Sequence, residues 1–293
     1  MSKQRALFVL WSALVALLVL STAVGAAGAS SVSVRQAMCD QVFGFESQDF
    51  TNPISIDNKW LPLIPGTQFV LEGRINQGGG SVAVPHQVIF TVTDLTKVIN
   101  GVRTRVMWDQ DINDGEVVEA ELAFFAQDDG GKVWNLGEYP EEYEGGVFIG
   151  APSTWIAGLA GAKAGVHMFS NPQVGTPSYL QGLALNIKFL DCGQVADMGQ
   201  NVSVPAGNYK DVLVINEWSP LEPDSGIQIK YHAPGVGIVQ VGALGDPEAE
   251  TLVLTKLRHL GPRALAEARE EALKLDRHGY QVSNVYRMTP PAE

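Results

Sequence analysis

The densest run of oxygen ligands in the chain is Asp109-x-Asp111-x-Asn113-Asp114-Gly115. Oxygens at alternate positions can converge on one cation, and the run begins like a calcium loop. The match then fails, because glycine comes one place late, the twelfth position is Ala120 and the flanks alternate like strands. A solvated hairpin turn is the better reading. A second acidic run, Glu138, Glu141, Glu142 and Glu144, interleaves with Tyr139 and Tyr143. Paired carboxylates do acid–base work when one of them is desolvated. Pro140 and Gly145-Gly146 mark this stretch as a loop, so it reads as a solvated charge patch. His86, His167, His232, His259 and His278 stand apart, with no His-x-x-x-His or His-Glu spacing. His167-Met168 has side chains that suit copper, but reads as a loop histidine beside a buried methionine. The chain has no Gly-x-Ser-x-Gly elbow, P-loop or complete dinucleotide fingerprint. No catalytic residue, metal ligand or cofactor is assigned, although a triad drawn from distant residues needs no local motif.

Cys39 and Cys192 are the two cysteines. In an oxidising compartment two thiols of one chain usually pair. The bridge expected here closes a long loop, a gain of roughly 4–5 kcal/mol by chain entropy, and staples the N-terminal arm to the middle of the sheet. The compartment follows from the first thirty residues. Lys3 and Arg5 precede an apolar run from Leu7 to Leu20, interrupted by Ser12, and small residues follow from Ala23 to Ala29. Basic head, apolar body and small-residue exit form a secretory signal peptide, with cleavage expected after Ala29 or Ala26. The apolar run is shorter than the roughly 20 residues of a spanning helix. Cys39 follows Gln36-Ala37-Met38, which is not a lipobox, so the expected product is a secreted or periplasmic protein without a lipid anchor or a transmembrane segment. The chain has 20 basic and 32 acidic side chains, a net charge of −12, and losing the leader removes Lys3 and Arg5. Such a surface repels nucleic acid.

These residues need a scaffold, and the alternation supplies one. Residues 30–58 read as an irregular arm, 59–260 as a β domain and 261–293 as a C-terminal helix and tail. Val84, His86, Val88, Phe90 and Val92 alternate with Gln87, Ile89, Thr91 and Thr93; Asn100-Gly101 then makes a hairpin turn. Val102–Asp109 and Val118–Gln127 repeat the pattern around a turn at Asn113-Asp114-Gly115. Period-two strands joined by glycine-containing turns predict a strongly curved antiparallel meander with one wet face. Residues 145–182 are rich in glycine and lack sustained alternation, as in a flap that is either a lid or an end plug. Strands resume at Leu183–Leu190, Val202–Val204, Val212–Trp218, Ile227–Tyr231, Val236–Val241 and Thr251–Arg258. Pro262 is placed to open a helix running to His278-Gly279, and 281–293 reads as a frayed tail.

Four segments carry a resemblance. Val202-Ser203-Val204-Pro205-Ala206-Gly207-Asn208-Tyr209 resembles a V-x-V-P-A-G-x-aromatic motif, and Tyr231-His232-Ala233-Pro234-Gly235-Val236-Gly237-Ile238-Val239 a Y-x-A-P-G-V-G-x-V motif, of uncharacterised secreted bacterial β proteins. Leu63-x-Pro65-Gly66-Thr67 and Asn171-Pro172-x-Val174-Gly175 are similar to further segments of that family. Together they span about residues 60–258. The resemblance implies a mainly β fold, half-barrel or barrel-like as in lipoprotein carriers, and no activity. The paired cysteines and the C-terminal helix depart from the family pattern.

The expected function is non-enzymatic binding of an apolar small molecule or lipid in the concave face of the sheet. Trp108, Phe124, Trp155, Phe169 and Trp218 are the candidate lining residues. The alternatives are a structural or interaction component of the cell envelope and, third, a hydrolase with dispersed catalytic residues.

Overall fold

A computed structural model describes residues 38–293. The leader and the first residues of the arm lie outside the described residues. Five strands come first: β1 Thr67–Ile75, β2 Val84–Ile99, β3 Val102–Asn113, β4 Glu116–Gln127 and β5 Val133–Glu144. The glycine-rich stretch contributes β6 Val147–Gly150, β7 Trp155–Ile156, β8 Lys163–Met168 and β9 Tyr179–Ala184. Then follow β10 Phe189–Val204, β11 Gly207–Trp218, β12 Ile227–Ala233, β13 Gly237–Leu244, β14 Thr251–His259 and one α-helix, α1 Pro262–Val282. Neighbouring strands pair antiparallel in the order 4-3-2-1-14-13-12-11-10-9-8-5, and the pairing of β4 with β5 closes the ring into a 12-strand barrel. The predicted curved meander is therefore a closed barrel. β6 and β7 lie outside the ring, both paired to β5.

The hairpin turns fall where the sequence places them. Asn100 and Gly101 have φ of 48° and 82°, and Asp114 and Gly115 of 50° and 86°, as the two-residue primed turns require. The expected strand Leu183–Leu190 is broken by a tight turn at Leu185–Ile187, which separates β9 from β10. The stretch expected to be a lid or plug instead puts β8 and β9 into the wall. Gly165 makes this possible, since a Cβ there would sit 2.3 Å from the Gln181 carbonyl carbon.

The two ends of the barrel differ. One is closed by the segment before β1. The Asn58 amide donates to the carbonyls of Gly131 and Phe169, and its side-chain oxygen accepts from the amides of Trp60 and Leu61. Gly235 N–H donates to Lys59 O at 2.7 Å. This fixes Trp60 and Leu63 in the interior cluster with Phe69, Leu71 and Val88. The disulfide Cys39–Cys192 spans 5.5 Å between Cα atoms and joins the arm to β10. Residue 41 then pairs alongside Tyr179, and Phe45 and Phe50 pack on Trp134.

A second core lies outside the wall. α1 turns Ala268, Ala272, Asp276 and Gly279 toward the sheet, where Leu122, Phe124 and Tyr139 pack with Tyr286 of the tail. The tail is not frayed: Tyr286 is fully buried, and Thr96 and Glu293 exchange two backbone hydrogen bonds. A Cβ on Gly279 would stand 2.5 Å from the Tyr286 ring and 3.0 Å from that of Tyr139. Gly279→Ala should therefore destabilise by about 1–3 kcal/mol through overpacking, against a helix-propensity gain of about 1 kcal/mol. A higher midpoint in thermal melting would show that the ring moves aside freely.

Candidate functional site

Twelve strands enclose more space than side chains alone fill, and much of the space here is lined with acid. On β3, Asp109 and Asp111 point inward with Met107, while Trp108 points outward. On β4, Glu119 and Glu121 point inward with Ala123 and Phe125, while Leu122 and Phe124 point outward toward Tyr286. The register sets Asp109 opposite Glu121 and Asp111 opposite Glu119, two like-charged cross-strand pairs of a kind that is destabilising when ionised. Glu138 joins them from β5, accepting from Asn135 Nδ2 at 2.5 Å and Trp155 Nε1 at 2.9 Å. The polar face of the meander is thus the inside of the barrel over β3–β5, where its acids are buried rather than wet as expected, and the helix and arm cover the opposite face.

The expected solvated patch at 138–144 is corrected in the same way: Glu138 and Glu141 are buried. β5 continues through Pro140, which falls between the β7 and β6 pairings where that edge of β5 has no partner, a position proline tolerates. Glu141 faces α1 and binds Tyr139 Oη, Tyr143 Oη and His278 Nδ1 at 2.5, 2.6 and 2.7 Å.

The open end of the barrel holds a cavity of about 570 Å³ bounded by the β1–β2, β9–β10, β11–β12 and β13–β14 connections. Its acidic lining includes Asp111, Asp191, Glu217, Glu248 and Glu250, and its apolar lining includes Ile75, Phe189, Trp218 and Leu221. Lys188 lines the mouth itself, and three more basic groups lie close by. Lys230 Nζ contacts Glu217 Oε2 at 2.5 Å. His86 lies between Glu250 Oε1 at 2.8 Å and Asn113 Oδ1 at 2.7 Å, with Asp111 at 3.2 Å. His167, reached across the interior, packs its ring on Phe125.

Burial and charge divide these groups into ionised and neutral. Burial alone would raise the Glu217 carboxyl, but the charge of Lys230 and hydrogen bonds from Lys230 and Gln181 hold it at about 2. Burial alone would lower His86, but Glu250 and Asp111 raise it to about 9, so it is a cation. Burial raises Asp111 to about 7 against the pull of His86. It drives Asp109, Glu119, Glu121 and Asp191 well above the usual carboxylate range, and adjacent carboxylates push the same way. Burial lowers His167 to about 4 and His232 to about 3, leaving both neutral. Asp191 Oδ2 and Glu119 Oε2 have no hydrogen-bond partner. The interior thus has more carboxylate than cation, and balances the excess by keeping acids protonated.

No family model matches the chain. No curated protein matches it either. Among solved structures, a candidate exported protein with a YMCC-like fold from Bacteroides fragilis is similar over 69% of this chain and 99% of its own, at 14% identity and a TM-score of 0.40. A candidate lipoprotein from Parabacteroides distasonis is similar over 69% of this chain and 99% of its own, at 14% identity and a TM-score of 0.33. Likeness at this level identifies neither ligand nor activity.

The five aromatic residues proposed from sequence do not gather around one cavity. Trp108 and Phe124 belong to the outer cluster beneath α1 and the tail. Trp155 stacks on Phe189 at 5.0 Å and is committed to Glu138. Phe169 packs between Phe43 and Tyr179. Trp218 alone of the five borders the mouth, beside the disulfide cluster. The residues missed are the inward carboxylates. Their signal was present in the sequence as acid at alternate positions of β3 and β4. Among the described residues no group of three or more His, Cys, Asp and Glu is disposed to hold a metal ion, and no helix is long and apolar enough to cross a membrane.

Proposed function

We propose that this is an exported, non-enzymatic binding protein whose barrel mouth receives a ligand with an apolar body and a cationic group. The observation that carries the reading is Asp191. Its side chain is buried at the mouth cavity with Oδ2 unpartnered, beside Glu217 and within a partly apolar rim. A cation placed there would ionise Asp191 and be neutralised by it, while Trp218, Phe189 and Leu221 cover the body. The apolar ligand expected from sequence survives in this reading only as the body of the molecule. The leader-like N-terminus and the disulfide support export, since disulfides persist in oxidising compartments.

Calorimetric titration with phenethylamine and its neutral alcohol analogue tests the reading. The amine is expected to bind at least about tenfold tighter, about 1.4 kcal/mol, and Asp191→Asn to abolish the difference. Equal affinities would return the site to a purely apolar ligand. No binding of either would favour a structural or interaction role in the envelope.

The contrast between Asp191 and Glu217 favours a second reading. One carboxyl held protonated and another ionised in one cleft is the division of labour of acid–base glycoside cleavage. Chromogenic aryl glycosides check it, and a complete lack of turnover removes the glycosidase reading.

A further inference from the structure

Behind the mouth lies a second, smaller cavity of about 100 Å³, and Asp111 lines both. Its lining joins acidic and apolar groups, with Lys230, His167 and His232 among them. The acids are Asp109, Asp111, Glu119, Glu121 and Glu138, and the apolar groups include Leu63, Phe69, Val88 and Met107. Glu119 is 5% exposed and its Oε2 has no hydrogen-bond partner; Asp109 Oδ1 has none either. Two cations are close by: Lys230 lines the chamber and bonds Glu217, and His86 is held by Glu250 and Asp111. Buried acceptors left without donors cost roughly 1–3 kcal/mol each, so the chamber gains from anything that brings N–H groups and positive charge. The geometry does not suit a bare metal ion, as no cluster of ligating side chains converges on a point. The volume holds several waters or the end of a linear chain, but not a ring system.

We infer that the two cavities together accept a linear polyamine, its first ammonium at Asp191 in the mouth and its distal ammonium among Glu119, Glu121 and Asp109 in the inner chamber. The methylenes between them lie along the Phe69, Val88 and Met107 wall. An ammonium supplies three donors in a compact head, matching acceptors spread over two adjacent strands. This assignment rests on the cationic-ligand reading of the mouth and adds a second subsite to it.

The test is an affinity ladder on the full mature chain with 1,3-diaminopropane to 1,8-diaminooctane and spermidine, each against the monoamine of equal length. At the length that reaches the inner chamber, the diamine is expected to bind at least tenfold tighter than its monoamine. Glu119→Gln/Glu121→Gln should bring the diamine down to the monoamine and leave the monoamine unchanged. These substitutions replace carboxyls with amides of the same shape, and a thermal melt confirms folding; the ladder on the unaltered protein decides the matter even if the variant does not fold. Monoamine binding with no gain at any diamine length would overturn the inner subsite and leave the mouth reading standing. Failure of all amines to bind would overturn both. Displacement of bound diamine by equimolar magnesium or zinc would reassign the chamber to a metal.

Discussion

Lys97→Met is expected to lower the unfolding free energy by about 3–5 kcal/mol, the usual cost of leaving one partner of a buried ion pair behind. Lys97 is 1% exposed, and its ammonium spends its donors on Asp276 Oδ1 at 2.8 Å, Tyr280 Oη at 2.8 Å and Pro290 O at 2.7 Å. It also lies 4.3 Å from the centre of the Tyr286 ring. Asp276 in turn accepts from Tyr286 Oη and from the Ala292 amide. One strand side chain therefore holds both α1 and the tail onto the outer face of the barrel. Urea titration measures the loss. A deficit below about 1 kcal/mol would mean that apolar packing of the helix suffices. In Lys97→Met/Asp276→Leu much of the loss should return, because no charge is then left unpaired.

Thermal stability should fall as pH rises from about 6.5 to 9, by about 5–10 °C. His86 titrates near 6.5 when unfolded and at about 9 in the barrel, so its contribution is complete below 6.5 and is lost as pH passes 9. Asp111 moves the same way: its folded value of about 7 lies above its unfolded value, so the folded state binds the extra proton and stability declines from about 4 to 7. The raised carboxyls Asp109, Glu119, Glu121 and Asp191 extend the decline. His167 and His232, at about 4 and 3, act in the opposite sense. Their stability is full above 6.5 and is lost as acid protonates the unfolded chain preferentially. Glu217 contributes fully above about 4.5 and loses that contribution as pH falls to about 2. A mildly acidic optimum results. His86 alone represents on the order of 3 kcal/mol, which for a chain of this size corresponds to several degrees. Glu121→Gln should flatten the alkaline limb, since a neutral amide cannot ionise there. Scanning fluorimetry from pH 4 to 9 gives the profile, and a level line between 6.5 and 9 would mean that water reaches and solvates the inner carboxylates.

The ladder of strands was legible because it is local. Alternation along Val102–Asp109 and Val118–Gln127, with Asn100-Gly101 and Asp114-Gly115 between the runs, sets strand, turn and antiparallel neighbour within a few residues. Cys39 and Cys192 were pairable on chemistry alone, and they are bonded. Pro262 opened its helix at the expected residue. Closure of the ring was not legible, because it depends on β5 meeting β4 on one edge and β8 on the other, and β8 lies in a stretch whose glycines hide its alternation.

The inside and outside of the barrel were the larger omission. A period of two separates Glu119 and Glu121 from Leu122 and Phe124, but it cannot say which set looks inward. That choice belongs to α1 and the tail, which arrive some 150 residues later and cover Phe124 with Tyr286. Once the outer face is dry, the acids must line the lumen, where burial holds them protonated and leaves oxygens without donors. The sequence by itself determined the regularly alternating strands, their hairpin turns, the disulfide partners and the acid at alternate positions. Only the tertiary structure decided that this acid faces an enclosed cavity, because burial is a property of what packs on the opposite side of the sheet.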